Sequence, residues 1–191
     1  MNPAIKQRRE AFVTHAFYTV GHSTRSLDQL VVLLRMGHVE HVVDVRAMPR
    51  SRTNPQFNYD TLPEELAPLG IGYTHSPGLA GLRSRSKAVD DTTNGYWRNR
   101  SFHNYADYAL SAAFRQALAS LIELGRHQSC AVMCAEAVWW RCHRRIIADH
   151  LLHQGKQVYH LMNDSRVQPA VMTEAARTGD DGTLIYPDPA R

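Results

Sequence analysis

The chain has 191 residues, 43% of them hydrophobic, and a formal net charge of +4. That length and apolar content fit one domain with a real core and exclude extended disorder away from the ends. The charge is too small to imply a nucleic-acid or phosphate partner by itself. Three cysteines, Cys130, Cys134 and Cys142, do not make a secreted disulfide framework. The first ten residues are polar, no signal-type apolar stretch follows, and no apolar run approaches the ~20 residues that span a bilayer. The chain therefore reads as a soluble, reduced, cytoplasmic protein with no membrane partner.

In chain order, residues 1–16 are polar and basic and read as a flexible N-terminal segment. "FYTVGHS" is a short buried strand ending at Gly21. "SLDQLVVLLRMG" is a helix: Ser26 can cap it, Gly37 can end it, and Leu27, Leu30, Val31 and Leu34 recur at helical spacing. "EHVVDVR" is a valine-rich strand of the kind buried on both faces. "TLPEELAPLG" is a short helix capped by threonine, and "IGYTHS" a third strand. Residues 77–101 are irregular. "NYADYALSAAFRQALASLIELG" is helical with a break near Ser111. "SCAVMCAE" is a fourth strand, "CHRRIIADHLLHQG" a helix closed by Gly155, and "KQVYHLM" a fifth strand. From residue 163 the chain reads as a turn-like tail. This alternation predicts a single α/β domain over residues 17–162, with a mostly parallel central sheet of about five strands and helices on both faces.

In such sheets ligands bind beyond the carboxyl ends of the strands. Those ends here carry Gly21-His22-Ser23, Asp44-Val45-Arg46, His75-Ser76, Cys134-Ala135-Glu136 and His160. Glu136 is placed as a general acid or base, with His22 or His143 as partner; a salt bridge to Arg46 or Arg144 is its structural alternative. Asp44 lies within "VVDVR", where a charge needs a partner, and orienting Arg46 would supply one. "GHSTRS" resembles a phosphate-binding turn through Gly21 and Ser23, although no dinucleotide or Walker fingerprint is present.

Cys142 sits at the expected start of a helix, beside His143 and Arg144, where a thiol is acidified and anions bind. A packed small residue, with Arg145 and Asp149 forming a surface pair, accounts for it equally well. Cys134 ends an apolar strand and Cys130 lies inside it. Cys134, Cys142 and His143, with His22 or His160, could also ligate a metal, but the C-x7-C-H spacing matches no standard zinc motif. Residues 83–103 mix Arg83, Arg85, Lys87, Arg98 and Arg100 with aromatic residues, a composition that suits a nucleic-acid contact as well as a solvated loop.

"YTVGHSTRSLDQL", "VVDVRAMPRS", "LGIGYTHSPGLAG", "FHNYADYAL" and "AVMCAEAVWWRCHRRIIADHLLHQGKQVYHL" together resemble the family called domain of unknown function 488, in order from about residue 17 to residue 162. The resemblance implies a compact α/β domain and no settled reaction or cofactor. Its recurring positions fall on Gly21, His22, Ser23, Asp44, Val45, Arg46, Pro49, Ser51, Tyr105, Cys134, Ala135, Glu136, Cys142, His143 and Arg144. The chain departs from the pattern at "AVWWR" between the cysteines, at Ala80-Gly81 and at His103-Asn104.

The residues and the resemblance lead to one expectation: an enzyme with an anionic, phosphorylated or nucleotide-like substrate. Glu136, Cys142, Cys134, His22 and His143 would be the catalytic groups. Gly21, Ser23, Asp44, Arg46, Ser51, Tyr105 and Arg144 would line the substrate site. A nucleic-acid-binding module using residues 83–103 and a Cys/His metal protein are the alternatives.

Overall fold

The computed structural model describes residues 15–162 and 166–188. The expected flexible segment over residues 1–16 lies, except for its last two residues, outside the described residues. Five strands alternate with helices: β1 (Phe17–Gly21), α1 (Leu27–Met36), β2 (His41–Asp44), α2 (Leu62–Leu66), β3 (Gly72–His75), α3 (Arg100–Ala109), α4 (Ala112–Leu124), β4 (Cys130–Cys134), α5 (Arg144–His153) and β5 (Val158–Leu161). Three short strands follow: β6 (Val167–Pro169), β7 (Arg177–Thr178) and β8 (Leu184–Ile185). The main sheet runs β3-β2-β4-β1-β5-β6 and is parallel except for β6, which pairs antiparallel with β5. No helix among the described residues is long and apolar enough to cross a membrane.

Local chemistry sets the helix ends. Ser26 accepts from the Gln29 amide and Gln29 returns a bond to the Ser26 amide, a full capping box at the head of α1. The expected break near Ser111 is real, because Ser111 caps α4 by accepting from the Phe114 amide. Thr61 precedes α2 but makes no side-chain cap.

The period-2 alternation of β4 divides the core. Ala131 and Met133 face α1 and α2 with Val20, Leu30, Leu34, Leu62 and Leu66. Cys130, Val132 and Cys134 face α3, α4 and α5 with Phe17, Tyr105, Phe114, Ile146 and Ile147. A sheet covered on both faces needs apolar residues on both, which is why these strands lack a polar face.

The segment after residue 162 is not the turn-like tail that its composition suggests. Its described residues add β6 to the sheet and a β7–β8 hairpin. They also bury Tyr186, Leu184 and Thr173. Asp149 of α5 holds them: its carboxylate accepts from the Thr173 amide at 3.0 Å and from the Tyr186 hydroxyl at 3.0 Å. The expected Arg145–Asp149 surface pair is thus replaced by an inward tie, and Arg145 donates to Thr173 Oγ1. The short, turn-rich spacing of these strands hides them from a periodicity argument.

β1 leads through α1 to β2 on one side, and β4 leads through α5 to β5 on the other. The adjacent strands β1 and β4 therefore send their connections to opposite sides. Their carboxyl ends flank the switch point where an open α/β sheet forms its crevice.

Replacing Tyr186 by Phe removes a buried donor from the Asp149 carboxylate. Y186F is expected to lose about 1–2 kcal/mol of stability, read in urea as a lower midpoint at unchanged slope. An unchanged midpoint would mean that the C-terminal segment is not docked.

Candidate functional site

The crevice at the switch point is an open cleft of about 460 Å³. Arg46, Met48, Gly81, Tyr105, Cys134, Glu136, Arg141, Cys142 and His143 are among the residues that line it. A second, more polar hollow of about 290 Å³ adjoins it across Arg46, Met48 and Ala135, and His22, Ser23, Arg50 and Ser51 line it.

β1 and β4 continue their ladder past the strand ends, with His22 N donating to Cys134 O and Ser23 N to Ala135 O. The two chains come so close that a Cβ on Gly21 would fall 1.7 Å from the Glu136 carbonyl oxygen. Only glycine fits there. Ser23 takes φ +49°, a left-handed conformation uncommon for a non-glycine residue. Arg25 folds back to donate to the Gly21 carbonyl.

The sulfurs of Cys134 and Cys142 meet at 2.8 Å. Both are free thiols, both are nearly buried, and both line the cleft. α5 begins at Arg144, two residues later than its sequence suggests, with His143 at the cap position and Cys142 still extended. The Arg144 amide at 3.5 Å and the Arg144 Nε at 3.3 Å both donate to Cys142 Sγ. Arg144 Nη2 donates to the Glu136 carbonyl at 2.7 Å, so its partner at Glu136 is the backbone and not the carboxylate.

His143 Nε2 lies 3.2 Å from the Val45 carbonyl. A carbonyl only accepts, so Nε2 carries the proton, and the other nitrogen, Nδ1, faces Cys142 Sγ at 3.5 Å. Gly81 permits this placement, since a Cβ there would sit 2.9 Å from Nδ1. The Tyr105 ring lies 4.8 Å from the imidazole, and its hydroxyl is committed to Leu79 O at 2.7 Å.

Arg144 is 1% exposed. Among the described residues no carboxylate lies within ion-pairing distance of it. A buried guanidinium without a counter-charge is very costly, and the group against it is the Cys142 sulfur. Burial alone would push the Cys142 thiol up. The Cys134 S–H, Arg144 and His143 beside it outweigh burial and hold it well below the ordinary thiol value. Cys134 moves the other way, well above that value, through burial and its bond to Cys142. Burial opposes the Arg144 charge, but the two sulfurs more than offset it and its pKa is raised. These directions, with Arg144 lying against Cys142 Sγ, favour the thiolate at Cys142 and the proton at Cys134.

The second polar cluster is closed on itself. Asp44, fully buried, binds Arg46 through Nε at 2.9 Å and Nη2 at 2.5 Å and accepts from the Tyr73 hydroxyl at 2.6 Å. Arg46 also donates to Phe57 O at 2.6 Å and to His22 Nε2 at 3.1 Å. Four of its five N–H groups are therefore engaged and its charge is neutralised. His22 donates from Nδ1 to Ser23 O and accepts from Arg46 at Nε2. Burial and the Arg46 charge lower its pKa to about 4. It is neutral at physiological pH with no lone pair to spare. Ser51 serves its own turn, accepting from the Asn54 amide, and its hydroxyl lines the adjoining hollow rather than the main cleft.

Glu136 is exposed at the rim of the cleft. Arg141, exposed on the cleft wall, presents a cation that nothing in its sequence position distinguishes from its arginine neighbours. Met48 and Leu82 stand at the mouth, 76% and 86% exposed, with Leu82 at φ +58°. Neither signals itself in sequence. Among the described residues no group of three or more His, Cys, Asp or Glu side chains could hold a metal ion.

Trp139 stacks on the His160 ring at 4.3 Å, and Thr19 bonds that histidine at 2.7 Å. The tryptophan therefore lies over the seam between β1 and β5, while Trp140 remains exposed. Three of the five basic side chains over residues 83–103 are tied down. Arg83 lies over the Tyr108 ring, Arg85 pairs with Asp91, and Arg98 pairs with Asp188. Trp97 is buried between Phe102 and Tyr186, so it offers no face to a base.

The family model described as domain of unknown function DUF488 matches residues 26–151. The chain belongs to that family. The matched span holds both cysteines, Glu136, His143, Arg144 and the Asp44–Arg46 pair, and it leaves out Gly21, His22 and Ser23. No curated protein and no solved structure matches the chain.

A depressed Cys142 pKa means that its thiolate persists as pH falls below the ordinary thiol range near 9. Iodoacetamide is expected to alkylate Cys142 in the native protein at neutral and mildly acidic pH, ahead of Cys130, whose thiol burial pushes up to about 12. R144L is expected to return the alkylation profile of Cys142 to the alkaline range. Peptide mapping of the alkylated protein reads both, and a wild-type profile that rises only above the ordinary thiol range would remove the thiolate.

Proposed function

We propose that this DUF488 chain is an enzyme whose nucleophile is the Cys142 thiolate and whose substrate is a small anionic molecule bound in the cleft. One observation carries the reading. Cys142 Sγ lines an open cleft while its own charge is held from behind by Arg144 Nε at 3.3 Å and by His143 at 3.5 Å. An activated nucleophile needs this combination of lowered pKa, a neighbouring base and access.

The roles divide by geometry. His143, with Nδ1 towards the sulfur and Nε2 anchored on Val45 O, takes and returns the proton of Cys142. Arg144 stabilises the thiolate and does not reach for substrate. Arg141 supplies the free positive charge on the cleft wall that an anionic group would meet. Glu136 at the rim exchanges protons between the cleft and solvent. Arg46, fixed and neutralised by Asp44, forms a rigid wall between the cleft and the adjoining hollow. Tyr105 and Gly81 position His143.

A pair of alkylating probes of different charge tests the anion preference without a known substrate. Iodoacetate is expected to modify Cys142 about tenfold faster, relative to iodoacetamide, than it modifies a free thiol at low salt. R141Q is expected to abolish that advantage. Equal relative rates in the wild type would remove the anionic part of the reading. In any turnover assay, C142S is expected to cost about 10³-fold or more in kcat/KM, and H143N about 10²-fold. Unchanged turnover in C142S would remove the nucleophile.

A further inference from the structure

A nucleophilic thiolate for acyl or phosphoryl transfer needs one sulfur. This cleft has two in contact, at 2.8 Å, and both face the cavity. The second, Cys134, is buried at the end of β4 with its sulfur against that of its neighbour. A protonated thiol in contact with a thiolate has a specific chemical use. It can displace whatever group becomes bonded to that neighbour through sulfur. The two sulfurs need close only from 2.8 Å to the ~2.05 Å of a bond. The rest of the site fits such a partner. The cavity of about 460 Å³ holds a molecule of many atoms and would be left nearly empty by a peroxide. Its mouth offers apolar surface at Met48 and Leu82, and its wall a free cation at Arg141.

Resting on the nucleophile assigned above, we infer that Cys142 and Cys134 form a redox-active dithiol that reduces a small disulfide bearing carboxylate groups. The Cys142 thiolate attacks one substrate sulfur. A protein–substrate S–S bond forms, the substrate S–S bond breaks, and the first half leaves as a thiolate that takes a proton from solvent or from His143. Cys134 then attacks Cys142 Sγ, and its proton passes to the second half, which leaves as a thiol. The substrate gains two electrons and becomes two thiols. The protein loses two electrons and becomes the Cys134–Cys142 disulfide. The reverse exchange with an excess of a small thiol restores the dithiol. Cys130, at the other end of β4 with its S–H on the Gln128 carbonyl, takes no part.

Mass spectrometry of the intact native chain tests this, with oxidised glutathione as the anionic disulfide probe and cystamine as the cationic one. The wild type treated with oxidised glutathione is expected to lose the mass of two hydrogens, to keep no adduct, and to retain only Cys130 as a titratable thiol. C134S is expected to stop at a stable glutathione adduct on Cys142, and C134A serves if the serine variant does not fold. Oxidised glutathione is expected to react about tenfold faster than cystamine at low salt, an advantage lost in R141Q. A stable adduct on wild-type Cys142, with no loss of hydrogens, would overturn the resolving role of Cys134 and leave the nucleophile standing. No reaction of wild-type Cys142 with the disulfide, although iodoacetamide modifies it at neutral pH, would overturn the substrate class alone. A thiol inert to every one of these reagents would overturn the nucleophile itself. Equal rates with cystamine would overturn the carboxylate preference.

Discussion

The buried charge of Arg144 is the constraint on which the site depends. A guanidinium at 1% exposure must meet a negative group, and among the described residues no carboxylate is within ion-pairing distance. The Cys142 sulfur meets it instead. The two ionisations then stabilise one another: removing the proton from Cys142 lowers the cost of burying Arg144, and burying Arg144 favours removal of the proton. The rest of the arrangement follows from holding these two groups in contact. Glu136 turns its carbonyl towards the free end of the guanidinium, and Cys134 directs its S–H at the thiolate.

That contact exists because of where the sheet changes direction. β1 and β4 lie side by side and send their connections to opposite sides, which leaves their carboxyl ends uncovered by a crossover. Gly21 lets the Glu136 backbone settle against β1, and the Glu136 backbone in turn receives Arg144. Gly81 does the same for His143 from the loop that follows β3. Two positions without a side chain therefore support the two groups that surround the sulfur, and a cleft is left in front of it.

Much of this was readable in the sequence, because it rests on short-range pattern. The five parallel strands, the capping of α1 at Ser26, the break at Ser111 and the placing of the polar strand ends on one side all follow from periodicity and turn chemistry. The sixth strand was not readable. Val167–Pro169 is three residues long and exposed, and it owes its place to Asp149 holding Thr173 and Tyr186 rather than to any pattern of its own. Nor does "WWRCHRR" disclose which arginine goes inside. Arg141, Arg144 and Arg145 are near neighbours with the same chemistry. The 3₁₀ turn over Trp139–Arg141 and the start of α5 send the first to the cleft wall, the second to the sulfur, and the third to Thr173 and the Trp97 ring. The sulfur contact is hidden for the same reason, since seven intervening residues constrain a distance only after the turn between them is known.

The site thereby separates two tasks that one arginine cannot perform together. A cation that stabilises a buried thiolate has its charge spent on that thiolate, and Arg144 has no surface left with which to meet a ligand. Arg46 is closed off in a different way, by the Asp44 carboxylate and the Phe57 carbonyl. Of Arg46, Arg141 and Arg144, Arg141 alone is exposed, and it stands on the turn whose first residue, Trp139, is fixed by stacking on His160. The tryptophan that lies over the seam between β1 and β5 therefore also anchors the segment carrying the cation. Reactivity is set by groups behind the sulfur, and attraction of charge by a group in front of it. The turn over Trp139–Arg141 carries the second, while Arg144, His143 and the Glu136 carbonyl carry the first.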